Sequence, residues 1–352
     1  MLKPSSIIGI LGGGQLGRMM AIAAAELGYS VHIYCPEIDS PASEVAKFTT
    51  IGAYDDVAAL TKFASSVDVV TYEFENIPAA PVEAIAKIVS VFPSPKILAI
   101  SQHRVLEKQA INSLGIATAP FVPVSSYDDL VGAAQKLGLP AVLKTATMGY
   151  DGKGQVILRG LDDLRTSGLE FSSPLILEGF VNFKMEISVV VARDAAGNVA
   201  CYCPVQNIHK NHILAETIAP AAISEKLAAE AEKIATKLAN GLDLVGLMAV
   251  EMFVSSDDKI IVNELAPRPH NSGHWTLDAC VTSQFEQAIR AVCGLPLGNA
   301  ARMCDARMVN LIGDDVNEWQ KYAATANAKL HIYGKKETKS GRKMGHVTLL
   351  DV

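Results

Sequence analysis

Lys144 to Gln155 read Lys-Thr-Ala-Thr-Met-Gly-Tyr-Asp-Gly-Lys-Gly-Gln, a cationic run punctuated by Gly149, Gly152 and Gly154. A hairpin of this kind can fold over a nucleotide's phosphates. Glycines let backbone amides converge on phosphate oxygens, and Lys144 and Lys153 add charge-assisted contacts worth roughly 1.5–3 kcal/mol each. Further along, Glu251 and the pair Asn263-Glu264 flank the short turn Ser255-Ser256-Asp257-Asp258. If Asp257-Asp258 turns a hairpin, Ser256 faces Lys259 and Glu251 faces Glu264, and directly opposed residues point to one side of a sheet. Two like charges there repel unless a cation sits between them, and Mg2+, which prefers hard oxygens and substrate phosphates, fits. Asn263 offers a neutral oxygen beside them, although strand alternation turns it to the other face unless the strand bends. A phosphate lid with a two-carboxylate magnesium clamp predicts chemistry driven by ATP. The bland alternatives are an exposed hairpin with ordinary turn glycines and a solvated sheet edge carrying unrelated acids.

Other runs carry chemistry with less specificity. Gly12-Gly13-Gly14-Gln15-Leu16-Gly17 fits GxGxxG, where glycines permit a tight turn and a helix N-terminus offers amides to an anion. A dehydrogenase needs an acid at the end of the second strand, where Tyr34-Cys35-Pro36 stands instead. A phosphate contact, a small-ligand contact and plain backbone packing stay open. Arg268 to Trp275 holds an arginine, two histidines, Asn271 and Ser272 just after the clamp, and Pro267 and Pro269 make its start an extended loop. Such a donor-rich loop beside a γ-phosphate could hold a small anion, or its histidines could simply satisfy buried backbone groups. Lys335, Lys336, Lys339, Arg342 and Lys343 crowd one short stretch. Gly341 and the apolar run after it predict a structured phosphate-binding turn rather than a solvated tail. Glu73, Glu75 and Asn76 follow the strand 67–71, at the end where open α/β sheets bind ligands. An acidic turn starting a helix is the competing account.

The elements that must position these residues follow from periodicity. Ile7–Leu11, Val31–Tyr34 and Val67–Thr71 read as strands, alternating with helices at Gln15–Leu27 and Val57–Ala64, with a short helix after Pro81. This predicts an α/β, Rossmann-like parallel sheet. Ser94 caps a single helix from Pro95 or Lys96 to Leu114. A mostly antiparallel α+β region follows, with strands at 141–144, 155–158, 175–178, 186–191 and 199–203, a helix at 224–240, and strands at 244–253 and 259–263. Strands near 329–333 and 346–350 close a smaller terminal piece. The expected domains are 1–100, 101–295 and 296–352, the middle one with a small lobe at about 118–180 and a large lobe at about 181–295.

The chain has 352 residues, 49% hydrophobic and 19% charged, with a net charge of −6. That balance argues against a nucleic-acid or anionic-membrane surface, so an anionic ligand must meet local Lys and Arg clusters. The absence of a signal region or an 18-residue apolar stretch predicts a soluble, cytoplasmic protein. Six scattered cysteines without a CxxC read as buried free thiols.

Taken together, these motifs resemble the ATP-grasp enzymes, and within them the N5-carboxyaminoimidazole ribonucleotide synthetase family of purine biosynthesis. The likeness runs through Gly9–Met19, Thr71–Asn76, Gly149–Gln155, Asn263–His274 and Arg342–His346. It implies ATP-dependent carboxylation of 5-aminoimidazole ribonucleotide by bicarbonate through carboxyphosphate, with no enzymic nucleophile. It also implies two lobes around ATP with Mg2+, and a homodimer. Arg104, Lys144, Gly149, Tyr150, Asp151, Gly152, Lys153, Gly154 and Gln155 would meet the phosphates. Glu178-Gly179-Phe180-Val181 would read adenine by its backbone, with Glu186 on the ribose and His209 nearby. Glu251 and Glu264 would hold the metal, with Asn263 beside it. Tyr150, Arg268, His270 and Lys343 would serve bicarbonate and its activated product. Gly14, Gln15, Leu16, Glu73, Asn76, Lys335, Arg342 and Lys343 would bind the ribonucleotide. Thr145-Ala146-Thr147-Met148 departs from the more basic, glycine-rich lead-in the family implies. Competing readings are a formate-activating or biotin-carboxylating ATP-grasp ligase, a nicotinamide dehydrogenase and a catalytically silent ATP sensor.

Overall fold

The computed structural model describes residues 1–149, 154–160, 162–163 and 171–351. The chain opens with β1 (Ile7–Leu11), α1 (Gln15–Glu26), β2 (Ser30–Cys35), β3 (Phe48–Ile51), α2 (Val57–Ala64), β4 (Val69–Tyr72) and α3 (Ala79–Ile85). Its four strands form a parallel sheet in the order β3-β2-β1-β4. The sheet reverses direction of growth at β1, so the turns after β1 and β4 lie side by side at the end where ligands bind. Strand β3 went unread in the sequence because Phe48-Thr-Thr-Ile51 is largely exposed and lacks an apolar alternation.

The single helix expected from 95 to 114 is two: α4 (Pro95–Ser101) and α5 (Arg104–Ser113). His103 between them is extended, with φ −130° and ψ 105°. The Gln102 amide donates to the Glu75 and Ile77 carbonyls, at 2.6 and 2.5 Å, and fixes the break. The restart puts Arg104, Glu107 and Lys108 one turn apart on the same helical side.

Next come β5 (Phe121–Val124), α6 (Tyr127–Leu137), β6 (Ala141–Thr145), β7 (Gln155–Leu158) and β8 (Leu175–Gly179). These strands form an antiparallel sheet ordered β5-β8-β6-β7, covered by α6. Ser126 caps α6 by accepting the Asp129 N–H at 3.1 Å.

A larger antiparallel sheet takes the rest. It contains β9 (Phe183–Arg193), β10 (Val199–Cys201), β11 (Val205–Lys210), β12 (Ile213–Ala219), β13 (Gly246–Ser255), β14 (Ile260–Ala266), β15 (Asp305–Ile312), β16 (Ala328–Ile332) and β17 (Lys343–Asp351). The order is β14-β13-β9-β11-β12-β15-β17-β16, with β10 beside β9. The carboxy-terminal strands therefore extend the sheet of the middle region, β15 pairing with β12 through Glu216↔Val309 to Ala219↔Ala306. Helices α7 (Glu225–Gly241), α8 (Thr276–Ala279), α9 (Gln284–Val292) and α10 (Trp319–Ala323) complete the described chain. One apolar cluster joins Met19, Met20 and Ala23 of α1 to Phe285, Ala288 and Ile289 of α9, welding the first sheet's helix layer onto the large antiparallel sheet.

Candidate active site

The two acids of the expected clamp face each other. Glu251 on β13 and Glu264 on β14 are register partners. The register does not run uniformly to the turn, however: it shifts between Glu251 and Met252, so that Met252 pairs with Val262 and the Ser255 N–H bonds the Lys259 carbonyl at 2.9 Å. The expected Ser256–Lys259 pairing is therefore corrected to Ser255–Lys259. Asn263 is the residue absorbed by this bulge, which is the bend needed to re-aim it.

Helix α5 holds the bulge from behind. The Arg104 guanidinium reaches Glu264 at 3.2 Å and the Gly149 carbonyl at 3.4 Å. Lys108 Nζ donates to the Asn263 carbonyl at 3.3 Å, and Glu107 accepts the Leu265 N–H at 2.7 Å. Burial, with the Glu264 charge in support, pushes the Glu107 carboxyl up to about 8. Neither Glu107 nor Lys108 was singled out from sequence. Their spacing from Arg104 was visible, but their burial was not.

Lys108 and Lys144 share one carboxylate. Lys144 Nζ lies 2.9 Å from Glu178 Oε2, and Lys108 Nζ 3.3 Å from Oε1. Burial lowers the Lys144 affinity for its proton against the pull of Glu178, while Glu178 is held below the usual carboxylate range because the lysines outweigh its desolvation. Glu178 is the penultimate residue of β8, which leads from Gly179 through a half-exposed Phe180 and Val181 into β9, so this segment links the two sheets. On β6 and β7, Lys144 pairs with Gln155, and Gly154, at φ +72°, passes its carbonyl to the Thr145 N–H at 2.8 Å. The expectations for Tyr150, Asp151, Gly152 and Lys153 lie outside the described residues.

Glu186 and His209 are brought together, 3.1 Å apart, on β9 and β11. Burial lowers the His209 pKa, but Glu186 overrides it and the net shift is upward. His270 Nε2 lies 3.0 Å from Glu251 Oε1, and its Nδ1 is 2.8 Å from Ser272 Oγ. Desolvation raises the Glu251 carboxyl, but His270 outweighs it and keeps it ionised. Arg268 is not free for an anion in this structure. It forms a fork with both carboxylate oxygens of Glu75, including Nη2 to Oε1 at 2.5 Å.

The glycine loop's amides already have a partner, the Glu73 carboxyl group. Gly14 N–H donates to its Oε1 at 2.7 Å and Gly17 N–H to its Oε2 at 3.3 Å. A Cβ on Gly12, at φ +117°, would come within 2.4 Å of Glu73 Cγ, so the loop is glycine because this side chain lies in it. Two of the loop's amides are thus engaged by the chain's own carboxyl group. Burial raises the Glu73 carboxyl despite the two N–H groups. Gln15 and Leu16 begin α1 beside it, and Asn76 is half-buried in the same turn as Glu73.

The basic run does fold into a turn. Arg342 N–H bonds the Lys339 carbonyl at 2.9 Å, with Gly341 at φ +77°, and Lys335 Nζ donates to the Lys343 carbonyl at 2.6 Å. Burial and the Arg342 charge push Lys335 down to about 8, while Glu73 pulls the other way. Burial lowers His274, with the Lys343 charge adding to it, and Lys343 also works against the upward pull of Glu186 on His209.

Opposed carboxylates are a sound donor set for a hard divalent cation. Among the described residues no group of three or more His, Cys, Asp or Glu side chains is placed to hold a metal. Two carboxylates completed by substrate phosphates is the usual form for Mg2+. A cavity of about 380 Å³ lined by Cys201, Cys203 and Arg302 lies elsewhere and carries none of these side chains. No described helix is long and apolar enough to cross a membrane.

Comparison with known proteins matches three family models: a ribonucleotide synthetase preATP-grasp domain over residues 5–102, an ATP-grasp domain over 109–285, and a phosphoribosylaminoimidazole carboxylase C-terminal domain over 306–352. The chain is 52% identical to a bifunctional purine synthesis protein of Dictyostelium discoideum, aligned over 99% of this chain but spanning only 37% of that relative. It is 50% identical to an N5-carboxyaminoimidazole ribonucleotide synthase of Brucella melitensis biotype 1, over 99% of this chain and 97% of the relative. The crystal structure of an ADP complex of an N5-carboxyaminoimidazole ribonucleotide synthetase superposes with a TM-score of 0.97 at 44% identity, covering 100% of this chain and 94% of that one.

Proposed function

The chain belongs to the N5-carboxyaminoimidazole ribonucleotide synthase family, and on that premise we propose that it carboxylates 5-aminoimidazole ribonucleotide with bicarbonate, converting ATP to ADP and phosphate. The observation that carries this reading is the opposed pair Glu251 and Glu264, with Arg104, Lys108 and Lys144 gathered beside it. ATP lies between the two sheets. The 178–181 segment presents its backbone to adenine, Glu186 and His209 take the ribose, and Arg104, Lys144 and the lid 149–155 take the phosphates. Glu251 and Glu264, with Asn263 beside them, would hold Mg2+, which supplies charge neutralisation on the phosphates.

Bicarbonate attacks the γ-phosphorus with ADP departing, and the lysines and Arg104 stabilise the charge that develops on the transferred group. Tyr150, Arg268, His270 and Lys343 hold the resulting carboxyphosphate, and closure of the lid excludes water that would hydrolyse it. For Arg268 this requires sharing its guanidinium with Glu75. The ribonucleotide lies against Gly14, Gln15, Leu16, Glu73 and Asn76, with its 5′-phosphate on Lys335, Arg342 and Lys343. Its amine attacks the carboxyl carbon, phosphate leaves, and no side chain becomes covalently attached. A division near residues 100 and 295 follows the gaps between the matched family models. A cytoplasmic homodimer belongs to the same reading and rests on family resemblance.

The test is ATP turnover with and without 5-aminoimidazole ribonucleotide, using oxygen-labelled bicarbonate. Transfer of label into inorganic phosphate is expected. Ribonucleotide-stimulated turnover with unlabelled phosphate would reject the carboxyphosphate route.

A further inference from the structure

Four adjacent strands and the loop after β14 carry a continuous line of buried polar side chains ending at the clamp. Thr217 Oγ1 is 3.3 Å from Asn207 Oδ1, and Asn207 Nδ2 is 3.0 Å from Ser188 Oγ. Ser188 Oγ is 2.7 Å from Ser272 Oγ, which is 2.8 Å from His270 Nδ1. His270 Nε2 then meets Glu251 at 3.0 Å. Ser188, Thr217 and Ser272 are wholly buried and Asn207 almost so. Placing so many hydroxyl and amide groups out of water costs about 1–3 kcal/mol for any one left unpaired, so their mutual order is strongly enforced.

The direction of every proton in the line follows from its two ends. A carboxylate only accepts, so the His270 nitrogen facing Glu251 carries the proton. At the other nitrogen the Ser272 backbone N–H, which only donates, points at Nδ1 from 3.3 Å. Nδ1 is therefore the bare nitrogen, and the Ser272 hydroxyl donates to it. With its one proton committed, Ser272 must accept from Ser188, and Ser188 must accept from the Asn207 NH2 group. Asn207 then turns its oxygen to Thr217. All five bonds run one way.

We propose that Ser188, Asn207 and Ser272 are positioning residues that lock His270 as the Nε2–H tautomer and thereby hold the Glu251 carboxylate in its clamp orientation. This rests on the reading of His270 and Glu251 as site residues. A histidine so fixed donates to one oxygen of Glu251, leaving that carboxylate's second oxygen unoccupied by the ring. The arrangement follows the general pattern in which partners behind a ligand set its orientation.

Histidine-selective 15N NMR of the full chain without nucleotide or metal tests this directly, since protonated and bare imidazole nitrogens resonate in well-separated ranges. His270→Asn assigns the signals. Wild type is expected to show Nε2 protonated and Nδ1 bare. Asn207→Asp reverses the line: its carboxylate, kept ionised by the two hydroxyls donating to it, takes the Ser188 proton, so each hydroxyl turns and Nδ1 must donate to Ser272. Nε2 still faces the Glu251 carboxylate and keeps its proton, so both ring nitrogens are then expected to be protonated, with kcat down roughly 10–100-fold. Ser188→Ala, which removes one link without adding charge, is expected to lower kcat in the same way if the aspartate variant fails to fold. A wild-type His270 with its proton on Nδ1 overturns the proposal, as does an unmoved signal in Asn207→Asp. A moved signal with unchanged kcat overturns the positioning role. Normal turnover of His270→Asn would instead remove the site reading, while the spectra still decide the line.

Discussion

Lys335 shows how one residue's surroundings set the conditions under which a site works. Buried beside Arg342, it is pushed down to about 8, so it is charged below that pH and neutral above it. If it helps hold the ribonucleotide's phosphate, the KM for the ribonucleotide should rise several-fold between about pH 7.5 and about pH 9.5, up to the limit set by how far the bound phosphate restores the charge. Lys335→Arg keeps its charge throughout this range and should flatten the profile. Steady-state kinetics at saturating ATP decide it, and a KM that rises equally in both proteins would exclude Lys335. Glu73 is the complementary case. The glycine spacing before α1 was legible as a turn offering amides to an acceptor, and two of those amides meet the chain's own Glu73 carboxyl group. Nothing in a linear pattern distinguishes a ligand from a side chain that arrives 59 residues later.

Elements matter here through their irregularities. Counting residues across the expected hairpin placed Glu251 opposite Glu264 correctly yet misassigned the turn, because a bulge consumes Asn263 between them. The periodicity of β13 and β14 showed two strands; where one would slip depended on α5, which contacts the bulge through Lys108 and Glu107. That helix starts at Arg104 only because Gln102 breaks the run before it, a tertiary hydrogen bond that no local propensity encodes. Lys108 is 1% exposed, and a charged residue in a helical stretch reads by default as a solvated one. Its substitution should therefore be costly. Lys108→Met leaves Glu178 with Lys144 alone and frees the Asn263 carbonyl. The expected loss is about 3 kcal/mol, the lower end for a broken buried pair because one partner remains. Urea denaturation measures it, and a loss below about 1 kcal/mol would show that Lys108 adds little.

The whole molecule is held as one body by contacts of unequal worth. The α1–α9 seam is apolar and buried, whereas the Lys336–Asp39 pair spanning the termini is exposed on both sides, 68% and 63%, and exposed pairs contribute about 0–1 kcal/mol. The Glu75–Arg268 fork differs from both. It ties the turn after β4 to the loop after β14, and each partner is mostly withdrawn from water, at 27% and 14% exposure. Glu75 stays ionised because the adjacent guanidinium outweighs its desolvation. Removing either partner strands the other's charge in a poorly solvated place, so Glu75→Gln and Arg268→Met should each destabilise the fold, by about 3 kcal/mol or more. Together they should lose less than the sum of the two. A double-mutant cycle read by urea denaturation should give a coupling of at least about 1.5 kcal/mol. A coupling near zero would mean that the amino-terminal sheet is positioned by apolar packing alone, and that Arg268 is free to serve a bound anion without giving up a structural contact.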